Sequence, residues 1–345
     1  MADISARIEG KAGRITLTRP QALNALTHDM SLAVEAALDQ WCDDPAVHLV
    51  ILDADSPRAF CAGGDVAAIW RASVAGDPSV GRNFWRDEYR MNAKIAAYPK
   101  PVISLMQGFV MGGGVGLGCH VLHRIVDETV QIAMPEAVIG LIPDVGGTRL
   151  LARAPGFLGR YLGLTAARMG AGDAVHAGFA DHVIPQDDWP ALIARLCETG
   201  EVGDLTQTAP PAPPSPMAEA AEAIDAVFGG PDLPAICAAL TVSTAPWAAR
   251  AQDGIRANSP LSMAATLALL DALPGDAGLP EALIREFRVT FRAAQLGLTD
   301  FQEGVRAQLI DKDRQPKWRD AGPSDVDPAL VQALLAPLGA EELQL

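Results

Sequence analysis

Cysteine is scarce. The 345-residue chain has five (Cys42, Cys61, Cys119, Cys197 and Cys237), an odd number with no CxxC pair. This excludes a disulfide framework or zinc knuckle and suits a reducing cytoplasm. Positive charge is also short, with 27 Lys and Arg against 42 Asp and Glu and a formal net charge of −15. Nucleic acid and anionic membrane surfaces are therefore poor partners, since phosphate binding needs concentrated Lys and Arg. A small anion can still be held by one local basic cluster or a helix N-terminus. The opening MADISARIEGKAGRITL lacks a basic segment followed by an apolar one, so no signal peptide is expected. No Gly-x-Ser-x-Gly elbow, P-loop ending or convincing dinucleotide fingerprint occurs. His120 and His123 lie three apart across an expected helix end with no third ligand, so no metal site is expected. Charge is absent from Val102 to Leu122, a run long enough to span a membrane. Yet it holds six glycines with Ser104, Gln107 and His120, which reads as turn chemistry.

Apolar residues make up 49% of the chain and charged residues 20%, which excludes overall disorder and permits a large core. Length alone suggests about two domains at roughly 150 residues each. SARIE and RITLT predict a hairpin over 5–18 around a Lys11-Ala12-Gly13 turn. Thr27 can cap a helix carrying Met30, Leu32, Ala33, Ala36, Ala37 and Trp41. Strands are expected at 48–54, 102–106, 123–127 and 130–134, and helices at 83–97, 112–120 and from 145, a β/α alternation that predicts a layered or spiral α/β domain. Five prolines between Pro210 and Pro216 mark a stiff spacer over 199–216. Beyond it, helices are expected near 217–228, 233–242, 260–273 and 280–296, the last carrying Leu283, Ile284, Phe287, Phe291 and Ala294 at helical spacing. Thr299 and Gln302 form a capping-box pattern before a final helix, DFQEGVRAQLI. Neither half shows an internal sequence repeat.

Three segments could carry chemistry. Arg58-Ala59-Phe60-Cys61-Ala62-Gly63-Gly64-Asp65 combines small residues that let a ligand approach the backbone, but also fits a tight turn with Asp65 as N-cap. Met111-Gly112-Gly113-Gly114-Val115-Gly116 places unpaired amides at a helix start, suited to a developing oxyanion or to close helix packing. In Met134-Pro135-Glu136 through Asp144-Val145-Gly146-Gly147, Glu136 is the only charged residue between Glu128 and Asp144. A carboxylate in so apolar a run should gain proton affinity and become a useful acid/base, unless it is simply an exposed loop residue. Asp144 also fits as N-cap of a helix starting at Val145.

Taken together, AFCAGGDV, GFVMGGGVGLG and MPEAVIGLIPDVGGT resemble the crotonase (enoyl-CoA hydratase/isomerase) superfamily over residues 5 to about 198. The resemblance implies a spiral of ββα units binding acyl-coenzyme A, and here a helical C-terminal region follows. Residues 1–198 would be the acyl-CoA-binding catalytic domain, 199–216 a linker and 217–345 a helical domain. The resemblance makes the Gly64 and Gly113 amides the oxyanion hole for the thioester carbonyl. It places the Ala62 carbonyl at the adenine, Arg58 near the nucleotide phosphates, and Gly63 and Gly112 along the substrate. Hydratases of this family carry two glutamates, and one would fall at Gly116, which has no side chain. Glu136 matches the other. Asp144, with RDEYRMN at 86–92, HAGFADHVI at 176–184, NSPLSM at 258–263 and EGVRAQLIDKDRQPKW at 303–318, resembles the 3-hydroxyisobutyryl-CoA hydrolase branch. The activity implied is hydrolysis of a short branched β-hydroxyacyl-CoA, with Glu136 and Asp144 catalytic. The alternatives are an enoyl-CoA hydratase or double-bond isomerase using Glu136 alone, and a non-catalytic acyl-CoA-binding protein. No metal or redox cofactor is implied, since coenzyme A enters with the substrate. Relatives often form trimers or hexamers.

Overall fold

Strands alternate between two sheets. In chain order the computed structural model runs β1 (Ile4–Glu9), β2 (Ala12–Leu17), α1 (His28–Cys42), β3 (Leu49–Ala54), β4 (Ala59–Cys61), α2 (Val66–Val74), α3 (Ser79–Ala96), β5 (Val102–Met106), β6 (Phe109–Met111) and α4 (Gly113–Gly118). It continues through β7 (His123–Val126), β8 (Gln131–Ala133), α5 (Gly147–Arg153), α6 (Leu158–Thr165), α7 (Ala171–His176), β9 (His182–Val183) and α8 (Trp189–Thr199). The remainder is helical: α9 (Pro216–Glu219), α10 (Ala221–Phe228), α11 (Leu233–Val242), α12 (Ala248–Ala257), α13 (Pro260–Ala272), α14 (Leu279–Ala293), α15 (Phe301–Val305) and α16 (Pro328–Leu335). The structure describes residues 3–203, 205 and 209–345. Residues 204 and 206–208 of the expected linker, and the first two residues of the chain, lie outside it.

The larger sheet has the order β1-β2-β3-β5-β7-β9 and the smaller β4-β6-β8. Apart from the antiparallel β1/β2 hairpin, every pairing is parallel. Successive pairs β3–β4, β5–β6 and β7–β8 each give one strand to each sheet. The result is a structural repeat that no sequence repeat announced, because only strand length and burial recur. β3 and β5 are almost wholly buried, as parallel strands covered on both faces must be. The uncharged 102–122 run is divided among β5, β6 and α4, and among the described residues no helix is long and apolar enough to cross a membrane.

Two compact units emerge, interleaved in sequence. One contains residues 1–64, 87–133 and 169–218, with both sheets; Leu192 and Leu196 of α8 pack on Leu49, Ile51, Ile103 and Leu105 in its core. The other contains 65–86, 134–168 and 219–345, where Ile142 joins Leu261, Ala265 and Leu269 of α13, Val289 of α14 and Leu334 of α16. The composition change at 199–216 suggested one cut, but the segment carrying Glu136 and Asp144 belongs by contact with the C-terminal helices. The described end of the linker is pinned to the first unit: Asp173 accepts hydrogen bonds from the Ser215 hydroxyl at 2.6 Å and the Met217 amide at 3.0 Å.

Several local expectations change. The hairpin turns at Gly10-Lys11, where Gly10 takes φ 56, while Ala12 and Gly13 already lie in β2. Gly13 is kept small by the Trp41 ring, 2.4 Å from where its Cβ would stand. Thr27 caps α1 as expected, accepting from the Met30 amide at 3.2 Å. Thr299 and Gln302 form no capping box. The Gln302 amide instead donates to the Ser73 hydroxyl at 2.8 Å and the Ala293 carbonyl at 2.7 Å. EGVRAQLI continues from α15 into a π-helical turn, Arg306–Ile310. Helices α6, α7, α8, α12 and α16 were not anticipated.

Candidate active site

In the first unit, two glycine loops leave adjacent strand ends. Ala59–Cys61 forms a short strand rather than open loop, and Ala62-Gly63-Gly64 follows it. The Phe60 amide donates to the Gln107 carbonyl at 2.8 Å, the Ala62 amide to Leu23 at 3.0 Å, and the Leu26 amide to Gly63 at 2.8 Å. Asn24, buried, donates from its side-chain amide to the Ala59 carbonyl at 3.1 Å. These bonds fix Gly63 at φ 110, where a side chain would be strained. Gly112, at φ 48 and ψ −115, turns the chain from β6 into α4, and its carbonyl accepts from the Val115 and Gly116 amides.

The loops touch through absent side chains. A Cβ on Gly114 would lie 2.2 Å from the Cys61 carbonyl oxygen. One on Gly113 would lie 3.3 Å from the Gly64 nitrogen and 2.7 Å from a Glu88 carboxylate oxygen. Among the described residues, none accepts a hydrogen bond from the Gly64 or Gly113 amide. Two amide-bearing loops thus stand together beside a buried carboxylate. Gly116 is buried within α4. Arg58 is exposed just before β4, and its carbonyl accepts from the Phe109 amide at 3.1 Å. The Cys61 thiol is pushed up to about 12 by burial, which removes it as a nucleophile at neutral pH.

In the second unit, Glu136 opens a 3-10 turn, Glu136–Ile139, and is 6% exposed, so the exposed-loop reading fails. Its carbonyl accepts from the Leu141 amide at 3.0 Å, and the Ser259 amide at the head of α13 donates to Ala137 at 3.0 Å. Gly140 leaves the turn at φ 71, and a Cβ there would meet the Asp300 carbonyl oxygen at 2.3 Å. Gly304 on α15 closes the other side, with its Cβ position 2.2 Å from the Ile139 carbonyl carbon. Gly304→Ala should therefore displace the turn carrying Glu136, costing about 1–3 kcal/mol in overpacking and roughly tenfold or more in kcat. A thermal melt beside a turnover assay checks both, and an unchanged kcat would show that the turn tolerates the shift.

Asp144, 4% exposed, is not a helix cap. The chain takes two left-handed residues, Val145 at φ 52 and Gly146 at φ 79, before α5 begins at Gly147. The β-branched Val145 is a genuine outlier there, costing on the order of 1–3 kcal/mol. Fully buried Glu286 on α14 faces this turn, its carboxyl pushed up to about 8 by burial.

The sequence reading missed both Glu88 and Glu286. A signal was available: Trp85, Glu88, Tyr89 and Asn92, like Leu283, Glu286, Phe287 and Thr290, follow i, i+3, i+4, i+7 spacing, and all eight residues are buried. An acid on a helix's buried stripe needs an explanation that an acid on its wet face does not.

The profile of the enoyl-CoA hydratase/isomerase family matches residues 12–335. A Gallus gallus protein named 3-hydroxyisobutyryl-CoA hydrolase, mitochondrial, is 36% identical over 100% of this chain and 91% of its own. The Arabidopsis thaliana 3-hydroxyisobutyryl-CoA hydrolase 1 is 35% identical over 92% of this chain and 87% of its own. Among solved structures, an enoyl-CoA hydratase from Rhodobacter sphaeroides is 55% identical with a TM-score of 0.96, covering 100% of both chains. A carnitinyl-CoA dehydratase from Mycobacterium thermoresistibile is 41% identical with a TM-score of 0.94, covering 100% of this chain and 99% of its own.

Proposed function

The chain belongs to the enoyl-CoA hydratase/isomerase family, and from that premise we propose that it is an acyl-CoA thioester hydrolase whose substrate is a short branched β-hydroxyacyl-CoA, 3-hydroxyisobutyryl-CoA first. One observation carries the choice of reaction: Glu136 and Asp144 are both buried, while Gly116, the position at which the resemblance puts the hydratases' second glutamate, has no side chain. Without a second carboxylate at Gly116, two-glutamate hydration has lost one partner. Whole-chain relatives named as hydrolases support the reading.

In this reaction the Gly64 and Gly113 amides hold the thioester oxygen as it gains charge, and preorganised donors are worth most at that moment. Glu136 attacks the carbonyl, the C–S bond breaks and coenzyme A leaves as the thiolate. Water then hydrolyses the acyl-enzyme anhydride to the free acid and the Glu136 carboxylate. Alternatively, Glu136 takes a proton from water as the water oxygen bonds the carbonyl carbon, and the same thiolate leaves. Asp144 binds the substrate hydroxyl or shares the proton transfer. Glu88, beside the two amides, is a further group for the substrate's polar end. Arg58 and the Ala62 carbonyl serve the nucleotide, with Gly63 and Gly112 shaping the loops. With a net charge of −15, only local basic groups favour the anionic coenzyme. With 3-hydroxyisobutyryl-CoA as the substrate, the resemblance implies a place in valine breakdown. The free cysteines fit a reducing compartment, the cytoplasm in our reading, and a trimer or hexamer is the assembly that the family resemblance implies.

The two similar solved structures, named as an enoyl-CoA hydratase and a carnitinyl-CoA dehydratase, favour a second reading, a hydratase or isomerase using Glu136 alone. A free-thiol assay over a panel of acyl-CoA esters separates the two. Hydrolysis releases one equivalent of coenzyme A per turnover, with 3-hydroxyisobutyryl-CoA the best substrate. Consumption of an enoyl-CoA without thiol release would establish the alternative.

A further inference from the structure

The Asp144–Thr148 turn holds a conformation its residues do not favour by themselves. Val145, 1% exposed, sits at φ 52 with Gly146 at φ 79 behind it. Such a conformation persists only where its surroundings over-determine it. Here a carboxyl group gathers the turn. The Glu286 Oε2 accepts from the Gly146 amide at 2.7 Å, its Oε1 accepts from the Thr148 amide at 3.0 Å, and the Thr148 hydroxyl also donates to Oε1. An apolar side chain of similar volume would fill the space without the desolvation cost of an acid, so packing alone does not explain a glutamate.

We propose that Glu286 is a positioning residue for Asp144: by clasping the backbone two and four residues further on, it fixes where the Asp144 carboxylate stands during catalysis. This rests on the reading above that Asp144 takes part in thioester hydrolysis.

Burial raises the Glu286 carboxyl to about 8. The Thr148 and Gly146 hydrogen bonds oppose the rise and repulsion from Asp144 adds to it. Charged groups on the elements packed around α14 make other bonds. Arg149 and Arg153 of α5 donate to the Ala277 carbonyl, and α16 carries no charge within its span. On α14 itself Arg285 pairs with Glu281, Arg288 with Glu342, and Arg292 donates to the Arg288 and Leu334 carbonyls. Below its pKa Glu286 is neutral and escapes the repulsion from Asp144. Above it, two carboxylates repel at one turn. The kcat–pH profile should therefore carry a step in the mildly alkaline range that belongs to Glu286.

The test compares the full-length protein with Glu286→Gln, Thr148→Val, Asp144→Asn and the Asp144→Asn/Glu286→Gln pair, using thiol release from 3-hydroxyisobutyryl-CoA across pH 6–9. Glu286→Gln should lower kcat about tenfold or more while leaving KM within about threefold, and the alkaline step should vanish. Thr148→Val removes a bond that lowers the Glu286 pKa, so it should keep the step and move it to higher pH. The double variant should be no slower than Asp144→Asn alone, because a residue acting through Asp144 has nothing left to position. A folded Glu286→Gln with parental kcat and step, or multiplicative losses in the double variant, overturns the proposal. If Glu286→Gln does not fold, an unmoved step in Thr148→Val overturns it instead. Full activity in Asp144→Asn removes the reading of Asp144 and this inference with it. A slow Asp144→Asn beside an unchanged Glu286→Gln removes this inference alone.

Discussion

Glu136→Gln is expected to slow thiol release by about 10²–10⁴-fold while acyl-CoA binding stays within a few-fold. The amide keeps the side chain's size in a site that is 6% exposed, so the 3-10 turn and its bonds to Leu141 and Ser259 should survive. What it removes is the basic oxygen, needed whether Glu136 attacks the carbonyl or activates water. Single turnover in ¹⁸O-labelled water tests the nucleophilic role: label recovered in Glu136 requires an anhydride hydrolysed at the glutamyl carbon. Because the loss is in chemistry, it should fall on kcat rather than KM. A variant that still turns over at the parental rate would take the reaction away from this residue.

Gly114→Ala should be nearly as damaging, although Gly114 donates nothing to the substrate in the proposed mechanism. Its Cβ would stand 2.2 Å from the Cys61 carbonyl oxygen, and a backbone atom cannot swing aside as a side-chain end can. α4 and β4 must separate by about 1 Å to reach ordinary contact. That moves the Gly113 amide away from the Gly64 amide, and a misplacement of this size costs on the order of 10²-fold in rate. Substrate affinity should fall less than kcat, because the donors matter most once the oxygen carries charge. Steady-state kinetics beside a ligand-binding titration would show the split. A loss of affinity with kcat unchanged would mean that the loops serve binding alone.

The glycine loops were legible in sequence because their signal is local: paired and tripled glycines after apolar strands, with the positive φ at Gly63 and Gly112 now supplying the reason. Glu136 was legible for a similar cause, as one acid in a long apolar run. Asp144 was half legible. Its spacing drew attention, but the helix start that made it resemble a cap lies at Gly147, beyond two left-handed residues that no propensity rule anticipates. Glu88 and Glu286 were passed over because helical periodicity was read from the apolar positions alone.

The sequence by itself determined the strand and helix alternation, the two amide-bearing loops, the pair of acids eight residues apart and the family to which the chain belongs. These follow from short-range patterns, set by backbone sterics and the burial of apolar side chains. The tertiary structure decided which parts stand together. Residues 134–168 pack with the C-terminal helical segments, so Ser259, Asp300, Gly304 and Glu286 hold the turns bearing Glu136 and Asp144. That partnership rests on close backbone approach and buried hydrogen bonds between segments distant in sequence, and neither leaves a periodic trace in either segment.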